Sequence, residues 1–316
     1  MEKNIPSVDL ADFVSGSPDK KAAFVEKLGK AYEEIGFVAV RNHGLDDALS
    51  AKLYNQVERF FGLSEELKKQ YEIDGLAGQR GYTSFGKEHA KGRNTGDLKE
   101  FWHFGQYVED NDPIQEQYPD NVEVSELPGF NEIGKTTYQT LEKAGKHVLR
   151  ALALYLGLDE LYFDDKIHNG NSILRPIHYP PITDEPKGAV RAAEHEDINL
   201  ITLLMGASAE GLQVLNKQKH WVDVTALPDQ IVVNVGDMLQ RLTNNKLRST
   251  THRVINPPRE KWGQSRFSIP FFLHPRSEMR LDCLAECIDK DHPKQYDDIS
   301  AGDYLNERLA EIGLKK

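Results

Sequence analysis

Apolar positions recur at helical spacing in the first part of the chain and give way to short β-branched runs in the second. Ser17-Pro18-Asp19 predicts a helix start, with a capping serine and a proline in the first turn. Phe24, Leu28, Ala31 and Ile35 then form one stripe, closed by Gly36, and Phe37 to Arg41 follows as a strand, the one strand expected in an otherwise helical first third. A second helix from Asp46 carries Leu49, Leu53, Val57 and Phe60 on one face, and Ser64-Glu65-Glu66 opens a short third. From Phe130 to Gly157, the residues Leu141, Gly145, Val148, Leu152 and Tyr155 share a helical face long enough to brace a sheet from behind.

From Ser172 onward the period shortens. Strands are expected over Ser172 to His178, Ala189 to Glu194, Leu200 to Met205, Leu212 to Leu215, Trp221 to Val224, Ile231 to Val235, His252 to Ile255 and Phe267 to Leu273. About eight strands suit a double-sheet jelly roll. Tyr304, Leu305, Leu309 and Ile312 return to helical spacing. The expected fold is mainly β with flanking helices: a double-stranded β-helix (jelly-roll) core with an N-terminal helical cap region. Between cap and core, Gly75 to Thr95 is rich in glycine and charge and precedes Asp97 to Gly105. Two readings stay open for Tyr82, Phe101 and His103, a loop facing substrate or an aromatic strand packed in the core.

Composition narrows the classes. With 316 residues, 39% hydrophobic and 28% charged, the chain can bury a sizeable core. A net charge of −11 gives no general attraction to phosphate backbones or anionic membranes, so neither nucleic acid nor membrane is an expected partner. Met1 to Leu10 has no apolar secretory core, no stretch is apolar enough to span a bilayer, and Cys283 and Cys287 are too few for a disulfide framework. A cytoplasmic location is expected.

The candidate chemistry begins at His195-Glu196-Asp197, with His252 further along. Two imidazoles and a carboxylate can cap one face of an octahedral metal and leave the opposite positions open. An isolated His-x-Asp is a common coincidence, and histidines usually serve packing or surface hydrogen bonds. Here Ile198 to Leu204 reads as a buried strand, so His195 and Asp197 are expected at a strand's start, both on one face by its period of two. His252 lies in a second β-branched run, Thr250 to Val254. Downstream, alternation in Ser265 to Phe272 sets Arg266 and Ser268 on one face, against Phe267, Ile269 and Phe271. A planar guanidinium beside a hydroxyl suits a carboxylate.

Together, His195-x-Asp197, His252 and Arg266-x-Ser268 resemble the isopenicillin N synthase-like branch of the Fe(II)- and 2-oxoglutarate-dependent dioxygenases. Gly36 to Gly44 is similar to the family's amino-terminal signature, and Asn234-Val235-Gly236-Asp237 with Thr243-Asn244 to its motif before the last ligand. Arg175-Pro176-Ile177-His178-Tyr179-Pro180-Pro181 resembles the strand whose tyrosine helps hold the oxoglutarate carboxylate; many members carry asparagine where this chain has Ile177. The resemblance implies Fe(II) held by His195, Asp197 and His252, 2-oxoglutarate held by Arg266, Ser268 and Tyr179, and dioxygen at a remaining iron position. It implies oxidation of a small-molecule substrate, by default hydroxylation, with release of succinate and CO2. Residues 1–125 would be the dioxygenase cap, and residues 126–316 the bracing helix, catalytic core and C-terminal helix. Two other readings stay open: an Fe(II) oxidase of the same family that does not use oxoglutarate, and a jelly roll that binds metal or carboxylate without catalysis.

Overall fold

The computed structural model describes residues 5–76, 78–88, 96–108, 112–206, 210–224, 227 and 229–311. Its strands form two sheets. The larger runs in the order Ser7–Asp9, Phe37–Arg41, Ile231–Val235, Ile201–Met205, Arg266–Leu273, Ile177–Tyr179, Glu100–His103 and Gly81–Thr83, with Ile173–Leu174 also on Arg266–Leu273. The smaller is Trp221–Asp223, Leu212–Leu215, His252–Val254 and Ala192–His195. The two form the expected jelly-roll core, with helices gathered against it.

The helix starts are those that local chemistry demands. Ser17 accepts from the Lys20 amide ahead of Pro18–Glu34, Asp46 caps Asp47–Phe61 and Ser64 caps Glu65–Lys69. Gly36 takes φ +75 between helix and strand, where a Cβ would lie 2.2 Å from the Arg248 carbonyl oxygen. Phe60 stacks on Phe130 at 5.3 Å and meets Trp102 edge-on at 4.8 Å, which joins the amino-terminal helices to the long helix Phe130–Tyr155 and to the sheet.

Several strand expectations change for identifiable reasons. The run from Ser172 to His178 is split at Arg175-Pro176, where proline lacks an amide donor and the Arg175 amide turns to the Pro270 carbonyl. The strand expected from Ala189 to Glu194 runs instead over Ala192–His195, because the Ala189 amide closes a turn onto Pro186. Ser7–Asp9 and Gly81–Thr83 add strands to the first third; at three residues each they are too short for periodicity to reveal. Phe101 belongs to the strand Glu100–His103, and Tyr82 is paired opposite Trp102. Asp237–Leu242 adds a helix beyond the expected set, and a final helix covers Ala301–Glu311; Ile312 and the stretch 89–95 lie outside the described residues.

The long helix braces the sheet through its glycine. A Cβ on Gly145 would lie 2.4 Å from Leu273 Cδ1 and 3.2 Å from Leu203 Cδ1, both on fully buried side chains. Helical glycine usually costs about 1 kcal/mol relative to alanine, so close approach to the sheet is the reason it is found here. Gly145→Val is expected to overpack this contact and lower stability by about 1–3 kcal/mol in denaturant unfolding. Wild-type stability would show that the helix does not rest on the sheet at this point.

Candidate active site

The two histidines face each other across the smaller sheet. His195 ends Ala192–His195, His252 begins His252–Val254, and the two are direct partners in the antiparallel register. Their rings are 4.4 Å apart. Asp197 arrives differently from the expected arrangement, since it does not share a strand with His195. Residues 196 to 200 cross from the smaller sheet to Ile201–Met205 in the larger. Here the Asp197, Asn199 and Leu200 carbonyls accept from the amides of Asp237, Met238 and Gly236, so the segment is held as a bend rather than a ladder. The bend carries Asp197 Oδ1 to 3.5 Å from His252 Nε2 and 3.9 Å from His195 Nε2.

Hydrogen bonding prepares these groups to accept a cation. A carbonyl oxygen can only accept, so the contacts of His195 Nδ1 to Ala193 O (2.7 Å) and of His252 Nδ1 to Thr250 O (3.1 Å) put a proton on each Nδ1 and leave Nε2 as the donor atom. Asp197 Oδ2 accepts from Thr202 Oγ1 at 2.7 Å and Asn234 Nδ2 at 2.8 Å. Burial would raise this carboxyl, but His252, His195 and the donated hydrogen bonds hold it well below the usual carboxylate range. Burial and the His252 ring lower His195 to about 4, so it stands neutral beside an ionised Asp197 at neutral pH. His252 is raised despite its burial, by the Asp197 carboxylate beside it. One ligand atom from each residue lies within 4.8 Å of the others. Two imidazole nitrogens and one carboxylate oxygen fit a divalent first-row metal with open positions.

The second group faces the same cavity, whose volume is about 560 Å³. Arg266 opens the strand Arg266–Leu273 opposite Tyr179, and Ser268 lies opposite Ile177. Arg266, Ser268 and Tyr179 are all buried, and the guanidinium carbon is 5.0 Å from the centre of the Tyr179 ring. All six residues singled out in the sequence therefore line one cavity. Ile177 lines it too, and presents an apolar surface.

Other contributors have weaker sequence signals. Thr202 and Asn234, which fix Asp197, are polar interruptions in apolar strands. Phe37 meets His252 edge-on at 5.7 Å. His103 lines the cavity while lying in a strand, so both readings of its segment hold for it; Tyr82 and Phe101 serve the core. Among the described residues no helix is long and apolar enough to cross a membrane.

A jelly roll that opens a two-histidine, one-carboxylate donor set beside a buried Arg-x-Ser pair defines the non-haem iron oxygenase class. Residues 5–126 match the amino-terminal region described as non-haem dioxygenase in morphine synthesis, and residues 170–275 match the 2OG-Fe(II) oxygenase superfamily. Kihadalactone A synthase of Citrus sinensis is 32% identical over 98% of this chain and 92% of its own. A proline hydroxylase of Petromyces alliaceus is 30% identical over 96% and 98%. The crystal structure of a 2OG-Fe(II) oxygenase family protein from Caulobacter crescentus superposes with a TM-score of 0.87 at 40% identity, covering 98% of this chain and 99% of that one. A full-length Neurospora crassa protein crystallised in complex with alpha-KG and thymine superposes with a TM-score of 0.85 at 29% identity, covering 97% and 96%. The chain belongs to the 2OG-Fe(II) oxygenase superfamily: it is a 2-oxoglutarate-dependent oxidoreductase that uses Fe(II), 2-oxoglutarate and dioxygen.

Behind the bend lies a carboxyl that resists ionisation. Asp237 Oδ2 accepts from the Tyr304 hydroxyl at 2.9 Å, while Oδ1 is buried with no partner among the described residues. Burial pushes this group up to about 7, helped by the nearby Glu196 and Asp197 carboxylates. The folded state therefore keeps a proton that the unfolded chain loses near pH 4, so this carboxyl costs stability progressively as pH rises from about 4 to about 7. In the metal-free protein, Asp237→Asn should match wild type at pH 4 and exceed it at pH 8, at about 1.4 kcal/mol per pKa unit. Parallel stability profiles from denaturant titrations would refute the assignment.

Proposed function

We propose that His195, Asp197 and His252 hold the Fe(II), and that Arg266, Ser268 and Tyr179 hold the distal carboxylate of 2-oxoglutarate. The enzyme then hydroxylates a C–H bond of a small molecule. The observation that carries this reading is the convergence of the three donor atoms, within 4.8 Å of one another, in the cavity lined by Arg266 and Ser268. In this reading residues 1–125 act as the cap and residues 126–316 carry the bracing helix, core and C-terminal helix. The relatives crystallised with thymine, or named for kihadalactone A and proline, support a small-molecule substrate.

When bound, Fe(II) would activate dioxygen, the four-electron oxidant, with 2-oxoglutarate giving two electrons as it is decarboxylated to succinate and CO2 and the substrate C–H bond giving the other two. The protein's part is to bind, orient and keep the site dry. Arg266 offers a planar fork to a carboxylate, and the Ser268 and Tyr179 hydroxyls add donors. Thr202 and Asn234 engage one oxygen of Asp197, which turns the other toward the histidine Nε2 atoms. Ile177, Ala192, Leu212 and Val254 give the cavity an apolar wall that limits water.

Anaerobic calorimetry tests the two halves of the site separately. His195→Ala and Asp197→Ala should each weaken Fe(II) binding sharply. In the iron-loaded protein, Arg266→Leu should weaken 2-oxoglutarate binding at least about thirtyfold, because a charge-assisted pair in a buried site contributes roughly 2–5 kcal/mol. Arg266→Lys should recover only part, since an ammonium keeps the charge and loses the fork. Unchanged iron affinity in both alanine variants, or unchanged 2-oxoglutarate affinity in Arg266→Leu, would reject the corresponding assignment.

A further inference from the structure

The cavity wall provided by Glu88, Asp97, Lys99, His103 and Arg175 is built from side chains with no role in holding iron or 2-oxoglutarate. Lys99 Nζ lies 2.7 Å from Glu88 Oε1 and 3.0 Å from Asp97 Oδ2. Asp97 Oδ1 accepts from the Ala193 amide at 3.2 Å, which ties this wall to the strand that ends in His195. Arg175 Nε donates to His103 Nε2 at 2.5 Å, and its Nη1 lies 3.3 Å from both oxygens of Glu88. His103 Nδ1 contacts the Gly78 carbonyl oxygen, so that nitrogen carries the proton and Nε2 is the acceptor. Burial and Arg175 hold His103 well below its ordinary range, so the ring is neutral.

The wall is thus a closed set of two carboxylates and two cations, balanced in charge. Its carboxylates are paired with the cations and, at Asp97, with backbone, while Glu88 Oε2 is buried with only an ion contact to Arg175 and no hydrogen bond among the described residues. One donor edge remains: Arg175 Nη2 has no acceptor among the described residues, and Arg175 lines the cavity. The guanidinium carbon lies over the Phe101 ring at 4.3 Å and over the Phe272 ring at 5.1 Å, and since guanidinium N–H groups point in its plane, an acceptor meets the remaining donor edge-on. Because the charge of Arg175 is already matched by Glu88, an incoming anion would bring uncompensated charge against a largely buried wall, while a neutral acceptor would not.

Building on the proposed function, we infer that Arg175 is the substrate-orienting residue, and that the substrate presents it with an uncharged planar acceptor, a ring or amide carbonyl. Edge-on capture beside Phe101 and Phe272 would fix the plane of the substrate relative to the iron ligands, and so select which C–H bond is oxidised. Gln79 and Asn171, which also line the cavity, offer further amide groups to the same kind of partner.

The test uses the full chain loaded anaerobically with Fe(II) and 2-oxoglutarate. Thermal shift and calorimetry compare uncharged cyclic amides and imides, thymine among them, with the carboxylated form of each ring, such as orotate. Binding is expected among the uncharged members, with each carboxylate weaker by about tenfold or more. Arg175→Lys keeps a cation opposite Glu88 but loses the flat edge, and should weaken the best uncharged binder by about tenfold, with melting of the ligand-free protein reporting its fold. Should that variant melt early, the double variant Arg175→Met with Glu88→Gln keeps the wall neutral and is expected to show the same loss. Preference for the carboxylates, no binding by any uncharged member, or full affinity in a folded Arg175 variant would overturn the inference. Failure of the underlying assignment has a different signature, namely 2-oxoglutarate binding that does not depend on Arg266.

Discussion

The burial of one carboxylate sets the requirements for much of this molecule. Removing a carboxylate from water costs several kcal/mol even after relaxation, so Asp197 can remain ionised only where donors and positive charge are already in place. The donors come from two neighbouring strands: Thr202 and Asn234 are direct partners in the register of Ile201–Met205 with Ile231–Val235. Their side chains meet the same oxygen of Asp197. The segment between His195 and Ile201 must bend between sheets to deliver that carboxylate, and the amides of the Gly236–Met238 corner hold the bend. The proposed dication site is in this way held open by ordinary backbone hydrogen bonding.

The same cavity solves opposite electrostatic problems at its two polar walls. Around Arg266 a buried cation stands beside neutral hydroxyls, which suits a ligand that brings its own negative charge. Around Arg175 the charges already compensate one another, with Lys99 bridging Glu88 and Asp97. Under the assignments proposed above, that difference would let two ligands sort themselves within one space, because each wall is a poor match for the other's partner. Oxidation without a correctly seated substrate would be wasteful, so separate recognition of cosubstrate and substrate has a direct functional value.

Much of this is legible in the sequence, and the exceptions have physical causes. Helix starts at Ser17, Asp46 and Ser64 are readable because a cap is a local interaction among a few adjacent residues. The metal-ligand and carboxylate-binding candidates stand out because their residue types are unusual within apolar runs. The position of Asp197 escapes periodicity, which reports extended or helical geometry and is blind to a bend held by amides from a corner some forty positions later. The ion network escapes for a related reason. Glu88, Asp97, Lys99 and Arg175 look like surface charges along the chain, and the pairing of Glu100–His103 with Ile177–Tyr179, with the Asp97 and Leu98 amides bonded to Glu88 and Val190, gathers them at the cavity wall and buries the first three. Ile177 is visible as a departure from the family pattern, but its place opposite Ser268 in the cavity wall needs the register.

The pairing of Phe37–Arg41 with Ile231–Val235 joins segments separated by more than half the chain, and Tyr32 adds a hydroxyl contact to the Val233 carbonyl. During synthesis Phe37–Arg41 can pair early with Ser7–Asp9, but its other edge must wait until most of the protein has left the ribosome. Contacts so distant in sequence slow folding and prolong the exposure of strand edges. In the folded protein Val38 and Val40 share a core cluster with Leu28, Tyr32, Leu53 and Val57, so the amino-terminal helices give one face of that strand a place to pack before its second edge is filled.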